Sequence, residues 1–449
     1  LTGGAGADII TGGAEIDTIA GGAGNDIITG GTGNDIITGG AGNDIIAGGA
    51  GSDTINVDAG TDTISDLATG DKLVISENAT ANAAVAVEFT ATSQTINHAN
   101  NAVSKAVLSA DSDGAIINMA LASGVFTLTG GAGGDTLTGG SGNDIITGAS
   151  GADIITIGTA GHGNSDTVDG GGGADVLQLS SGAHTFGTDN KLLAVETVKT
   201  DATLGSEVDL SGQSEGFTVT GSGAIDKITG SSGTDIINAG AGADIITIGT
   251  AGHGNSDTVD GGGGADVLQL SSGAHTFGTD NKLLAVETVK TDATLGSEVD
   301  LSGQSEGFTV TGSGAIDKIT GSSGTDIINA GAGADIITGG DGNDIISGGD
   351  GIDIINAGAG ADIITIGTAG HGNSDTVDGG GGADVLQLSS GAHTFGTDNK
   401  LLAVETVKTD ATLGSEVDLS GQSEGFTVTG SGAIDKITGS SGTDIINAG

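Results

Sequence analysis

The chain has 449 residues, 91 of them glycine, and contains no cysteine, proline, tryptophan or tyrosine. This excludes disulfide staples, and it matches neither the one-third glycine of collagen nor the proline of an extended linker. Its 58 acidic residues against 11 basic ones, all lysine, give a formal net charge of −47, which makes nucleic acid a poor partner; no apolar run approaches the length of a membrane span.

Residues 3–65 are seven consecutive nine-residue units on the pattern G-G-x-G-x-D-x-aliphatic-x, with sixth-position aspartates at Asp8, Asp17, Asp26, Asp35, Asp44, Asp53 and Asp62. Glycines at the first, second and fourth positions permit positive φ and close backbone approach, so six residues can coil tightly and aim carbonyl oxygens inward. The aspartate adds one hard carboxylate to that ring. Oxygen ligands on a flexible glycine turn suit Ca²⁺ better than Zn²⁺, which takes cysteine or histidine, or Mg²⁺, which demands a stiff octahedron. The last three residues, such as Ile27-Ile28-Thr29, are β-branched and predict a short strand whose middle side chain points opposite to its neighbours. Each unit thus reads as half a turn of coil, a metal-binding bend followed by a strand. The second unit has Glu15 in place of the fourth glycine and the seventh lacks both leading glycines, so weaker or absent metal is expected at those bends.

The units resemble the RTX (repeats-in-toxin) nonapeptide of bacterial surface-layer and other extracellular structural proteins. The resemblance implies an all-β fold, a parallel β-roll or β-solenoid with two nonapeptides per turn and Ca²⁺ in the bends, interspersed with Ca²⁺-free turns. Bends one turn apart then pair Asp8 with Asp26, Asp17 with Asp35, Asp26 with Asp44 and Asp35 with Asp53. The eighth residue faces inward and the seventh outward, so Ile9, Ile27, Ile36, Ile45, Ile145, Ile154, Ile236 and Ile245 form outward apolar ladders, and exposed apolar stripes usually mark contacts. A thin solenoid has a meagre core, and a structural metal is the usual remedy. About two dozen Ca²⁺ would also cancel nearly all of the net charge.

Residues 66–129 break the pattern. The segment DLATGDKLVI resembles the end of an RTX block, and the glycine-poor remainder reads either as irregular solenoid turns or as a small inserted β domain carrying a helix around residues 101–109. Asn78-Ala79-Thr80 is a formal glycosylation sequon, a motif short enough to occur by chance. Nonapeptides resume at Gly130 with Asp135, Asp144 and Asp153, opening a solenoid over 130–449. It holds three near-identical 91-residue repeats, about 152–242, 243–333 and 361–449, and a 27-residue nonapeptide insertion at about 330–356.

The first repeat places aspartates at Asp166, Asp175, Asp226 and Asp235; the second at Asp244, Asp257, Asp266, Asp317 and Asp326. The insertion supplies Asp335, Asp344 and Asp353, and the third repeat Asp362, Asp375, Asp384, Asp435 and Asp444. All 27 are candidate metal ligands. In the second repeat the step from Asp244 to Asp257 is 13 residues, a swollen bend carrying His253, and the step from Asp266 to Asp317 is 51 residues without a metal bend. That long step reads as metal-free turns in which aliphatic residues, Phe277 and Phe308 replace the ions as filling. The insertion amounts to one and a half turns. If each 91-residue repeat closes a whole number of turns, His162 and His253 share a side and His371 lies opposite.

His162, His253 and His371 neighbour Ser165, Ser256 and Ser374 and Asp166, Asp257 and Asp375, but a catalytic triad converges from separate elements, and neighbours on one glycine-rich bend read as a polar loop. No catalytic residue is assigned, and the chain is read as non-enzymatic. His184, His275 and His393 precede phenylalanine in strands and read as surface or rim residues. Asp341 and Asp350, at third positions, either add ligands or decorate turns.

The function expected is a calcium-stabilised structural protein of the bacterial cell surface, in a surface layer, sheath or extracellular filament, that self-associates through its solenoid. Identical tandem modules present identical contacts at regular spacing. The alternatives are the extender stalk of a large adhesin, the RTX region of a secreted toxin or hydrolase, and an ice-binding solenoid. The last needs outward Thr and Asn at the third and fifth positions, which only Thr32 with Asn34 meets in the first block, the third position being otherwise alanine at Ala5, Ala23 and Ala41. The resemblance further implies type I secretion. Because the chain begins and ends inside a repeat, and nothing at Leu1 resembles a signal peptide, it is expected to be a window on a longer protein. Regions outside that window would carry any contact with surface polysaccharide or a host ligand.

Overall fold

The computed structural model describes all residues except 78, 86, 98–105, 111–113, 158–164, 249–255, 368–373 and 411. Every regular element longer than a single turn among the described residues is a β-strand, and none is a helix long and apolar enough to cross a membrane. The chain divides into two units, Leu1–Gly223 and Ala224–Gly449. Each is a parallel β-solenoid.

In the first unit, strands of alternate nonapeptides stack eighteen residues apart. Ile9 pairs with Ile27 and Ile27 with Ile45 in one sheet, while Thr18 pairs with Ile36 and Ile36 with Thr54 in another. The strand Ile27–Thr32 shows why. Its middle isoleucine, Ile28, is buried with Ile19, Ile37, Ile46 and Ile55, while Ile27 is 45 % exposed. A side-chain period of two lets the eighth-position aliphatic alone reach the axis, where it meets its copies from neighbouring turns.

The column continues through residues 66–129. Gly60–Leu67 pairs with Ala79–Val85, which pairs with Ala106–Ala110, which pairs with Thr127–Thr129. Of the two readings of this segment the described strands fit irregular solenoid turns, and the helix around 101–109 that the other carried is not formed over its described part. Ala106 and Leu108 point inward and Val107 sits between them, a strand alternation that glycine-poor alanine-rich sequence does not distinguish from a helix. Asn78 lies outside the described residues.

In the second unit the motif-free stretch adds a third strand to one turn, between Val267–Gln269 and Thr288–Lys290. Gly273–Thr276 begins a new sheet by pairing with Ser297–Asp300. Leu283–Leu284 ends the sheet that contains Thr258–Asp260. Phe277 and Phe308 are buried, 1 % and 3 % exposed, as expected of residues that fill turns without ions.

This switch of columns overturns the expected register. Ile245 pairs with Val267, Val267 with Thr288, Thr288 with Thr309 and Thr309 with Ile327. Four turns thus end at Ile327, whereas the residue 91 positions beyond Ile245 is Ile336, which pairs in the other sheet, with Lys318. The repeat closes four and a half turns, not a whole number. Ile327 then pairs with Ile345 and Ile345 with Ile363, so the starts of the second and third repeats lie in one column six turns apart. The insertion restores the side instead of reversing it. His162, His253 and His371 themselves lie outside the described residues.

Candidate metal centre

Each bend is held to the next by a carboxylate. The Asp26 amide donates to Asp44 Oδ1 at 2.8 Å, and the same contact joins Asp8 to Asp26 and Asp35 to Asp53 at 2.8 Å, and Asp17 to Asp35 at 2.7 Å. The four pairs expected from the eighteen-residue spacing are therefore stacked neighbours. At swollen bends the spacing becomes 22 residues and the contact persists, as from the Asp144 amide to Asp166 Oδ1 at 2.7 Å and from the Asp244 amide to Asp266 Oδ1 at 2.7 Å. Asp166, beside the candidate polar loop, is thus part of this ladder, and its sequence neighbour His162 lies outside the described residues.

The second carboxylate oxygen separates most of these aspartates into two kinds. At Asp26, Asp35, Asp44, Asp53, Asp62, Asp153, Asp175, Asp244, Asp266, Asp335, Asp344, Asp353, Asp362 and Asp384, Oδ2 is buried without a hydrogen-bond partner. A buried carboxylate oxygen left unpaired is costly and calls for a cation. At Asp135, Asp144, Asp235, Asp317, Asp326, Asp435 and Asp444, Oδ2 accepts an amide from its own bend, donated by Gly131, Gly140, Ser231, Ser313, Ser322, Ser431 and Ser440 respectively, at 2.6–2.8 Å. Several of these bends read GSSGTD or SGAID, where serine replaces the second glycine and its hydroxyl also reaches the carboxylate, as from Ser313 to Asp317 at 2.8 Å.

The orphaned oxygen does not stand alone. A β-carbon built on Gly21 would lie 2.4 Å from Asp26 Oδ2 and 2.4 Å from the carbonyl oxygen of Gly39, one turn on; at Gly148 the corresponding distances to Asp153 Oδ2 and Gly170 O are also 2.4 Å. At these two bends carboxylate and carbonyl oxygens from two turns thus converge on the space that a side chain at Gly21 or Gly148 would take. The donor set is all oxygen, one carboxylate per bend with backbone carbonyls, and it fits Ca²⁺. It also explains why no group of three acidic or histidine side chains converges among the described residues. Gly21→Ala is expected to cost about 1–3 kcal/mol by overpacking, read as a higher Ca²⁺ midpoint for folding; an unchanged midpoint would show that the space is not needed.

Burial raises the pKa of some of these carboxyls. Asp62 and Asp344 are pushed up to about 7 and Asp335 to about 6, first by desolvation and then, against the opposing amide hydrogen bond, by neighbouring carboxylates. Asp44, Asp53, Asp153, Asp244, Asp353 and Asp362 shift in the same direction, desolvation again the leading cause.

One residue of this ladder lies outside the nonapeptide list. Asp71, in DLATGDKLVI, accepts the Asp53 amide at 2.8 Å and the Ala68 amide at 2.9 Å. Its place nine residues beyond Asp62, after Gly70, is the signal that finds it. Asp341 and Asp350 are exposed. His184, His275 and His393 are not rim residues but fully buried. Each sits where the strand period turns it inward, with Nε2 3.0 Å from the carbonyl oxygen of Ser180, Ser271 or Ser389, and burial lowers its pKa. The alternation His-x-Phe, both facing in, was legible as a strand but not as a polar residue taken into the core.

A family model described as the RTX calcium-binding nonapeptide repeat (4 copies) matches residues 2–37, 29–64, 127–156, 160–183, 218–249, 251–274, 311–346, 338–368, 369–392 and 427–449. No curated protein matches the chain. With glycine bends, stacked carboxylates and matches from the first turn to the last, the chain belongs to the RTX calcium-binding nonapeptide repeat family, and its solenoid is a calcium-binding structural region.

Proposed function

We propose that this solenoid is a structural protein of the bacterial cell surface, part of a surface layer, sheath or extracellular filament, that associates side by side with its own copies and carries no catalytic activity. The supporting observation is the outward isoleucine column. Ile327, Ile345 and Ile363 are paired neighbours on successive turns and are 47 %, 46 % and 39 % exposed. Ile27 and Ile45 repeat the arrangement in the first unit at 45 % and 48 %. Aliphatic side chains spaced ~4.8 Å apart along one face make a continuous apolar stripe of the kind that marks an association surface. Ca²⁺ in the bends, held by the sixth-position aspartates whose Oδ2 is orphaned, would neutralise the chain enough for copies to approach. Family membership supports export, and the 91-residue repeats support regular contacts over adhesin-stalk or toxin readings, which need no such duplication.

Replacing Ile327, Ile345 and Ile363 together by threonine is expected to leave Ca²⁺-dependent β structure intact and to reduce the sedimenting, assembled fraction several-fold. Undiminished assembly would reduce the column to strand propensity. Imaging in Ca²⁺ separates the readings further: sheets or filaments are expected, and isolated rods would favour a stalk.

A further inference from the structure

The turn that follows each GGGGAD bend lacks the nonapeptide motif, yet it keeps the contacts of a metal bend. In the first repeat the Asp175 amide donates to Glu196 Oε2 at 2.8 Å, the contact that other bends make to an aspartate Oδ1. The second and third repeats reproduce it, Asp266 to Glu287 at 2.7 Å and Asp384 to Glu405 at 2.8 Å. The spacing is 21 residues instead of eighteen, and the extra methylene of glutamate reaches the same amide.

A second observation concerns the backbone. Ala194, Ala285 and Ala403, each two residues before the glutamate, have φ of 48°, 48° and 47°. This left-handed conformation disfavours residues with a β-carbon and persists where the surroundings impose it. Here it turns a carbonyl toward the bend below. A β-carbon built on Gly170 would lie 2.0 Å from Ala194 O and 2.8 Å from Asp175 Oδ2, and the equivalents at Gly261 and Gly379 lie 2.1 Å from Ala285 O and Ala403 O. The alanine carbonyl thus occupies the place that the Gly170 carbonyl takes above Gly148 in a regular bend. The third observation is the ligand signal itself: Asp175, Asp266 and Asp384 are fully buried and their Oδ2 atoms have no partner.

We infer that each long repeat holds a further Ca²⁺ site outside the nonapeptide motif, between the bend ending at Asp175 and the Ala194–Glu196 turn stacked on it, with equivalents at Asp266 with Glu287 and Asp384 with Glu405. Hard carboxylate and carbonyl oxygens are the ligands Ca²⁺ takes, and its tolerance of irregular geometry suits a bend that is half nonapeptide. The site carries the metal staple one turn into the stretch otherwise filled by aliphatics and phenylalanine. It rests on the reading that Ca²⁺ occupies the regular bends.

The test counts bound Ca²⁺ by atomic emission after gel filtration. The triple variant E196Q/E287Q/E405Q is expected to carry three fewer ions than the unaltered chain, whereas E207Q/E298Q/E416Q, with the same charge change on the same repeats, should carry the full number. Equal counts in the two variants overturn the site. Should the first variant fail to fold, anomalous diffraction from Ca²⁺-loaded crystals of the unaltered chain decides. Peaks beside Glu196, Glu287 and Glu405 support the proposal, and peaks at bends such as Asp26–Asp44 without them refute it alone. Absence of peaks at every bend would overturn the calcium reading as well.

Discussion

In excess chelator at neutral pH the far-ultraviolet circular dichroism of this chain is expected to lose its β signal, to regain it with Ca²⁺, and to respond poorly to Mg²⁺. The orphaned Oδ2 atoms are the reason. They are buried, at Asp26 and Asp153 beside a carbonyl from the next turn, and without a cation the folded state has to hold ionised carboxylates out of water with nothing to pair them. A ligand that binds only the folded state stabilises it by about 2.7 kcal/mol per site at a hundredfold excess over Kd. Over a dozen or more bends that sum exceeds the ~5–15 kcal/mol by which ordinary domains are stable, so its removal is decisive in a chain without disulfides. The discrimination against Mg²⁺ follows from glycine bends too irregular for a strict octahedron. Unchanged β content in chelator would refute the dependence.

The second large effect is that acid partly replaces the metal. Asp62 and Asp344 have folded-state pKa values of about 7 and Asp335 of about 6, against 3.8 for the free side chain. A carboxyl whose pKa is higher in the folded state binds its proton more tightly there. It therefore contributes stability that is fully present below the unfolded value and is lost as pH rises through the folded one. Between about pH 4 and 7 the metal-free chain should accordingly gain β structure as the pH falls. The same titration reduces the net charge of −47 and its self-repulsion. Circular dichroism of the chelated chain at pH 7.5 and pH 5 checks this: a β signal no larger at pH 5 would show that desolvated carboxylates are not what keeps the metal-free chain unfolded. Ca²⁺ affinity should fall over the same range, because proton and metal compete for the same oxygens.

Much of this was legible without coordinates because the nonapeptide is a local device. Gly-Gly-x-Gly-x-Asp specifies a bend from steric permission alone, and Ile-Ile-Thr specifies a strand with one inward side chain, so the periods of nine and eighteen, the candidate aspartates and the outward isoleucines could be read from the order of residues. The burial of Ile28 and the exposure of Ile27 follow from a strand period of two and need no knowledge of distant contacts.

The tertiary structure decided what depends on the turn above or below. Asp26 and Asp135 are the same residue in the same motif, yet Asp26 Oδ2 is orphaned, whereas Asp135, whose Oδ1 meets the Ala115 amide of a motif-free turn, closes its Oδ2 on Gly131. The side on which each repeat begins was set by one extra strand, Gly273–Thr276 in the second repeat, which no nonapeptide arithmetic contains. His275 went into the core because its strand opens that new sheet, and Ala106–Ala110 became strand because it met the edge of Ala79–Val85. In a solenoid the sequence by itself writes each half-turn, through φ permission and side-chain period. Which half-turns stack, and so which oxygens face one another, is a sum of lengths over whole turns, and a few residues added in a glycine-poor stretch change that sum without leaving any local mark.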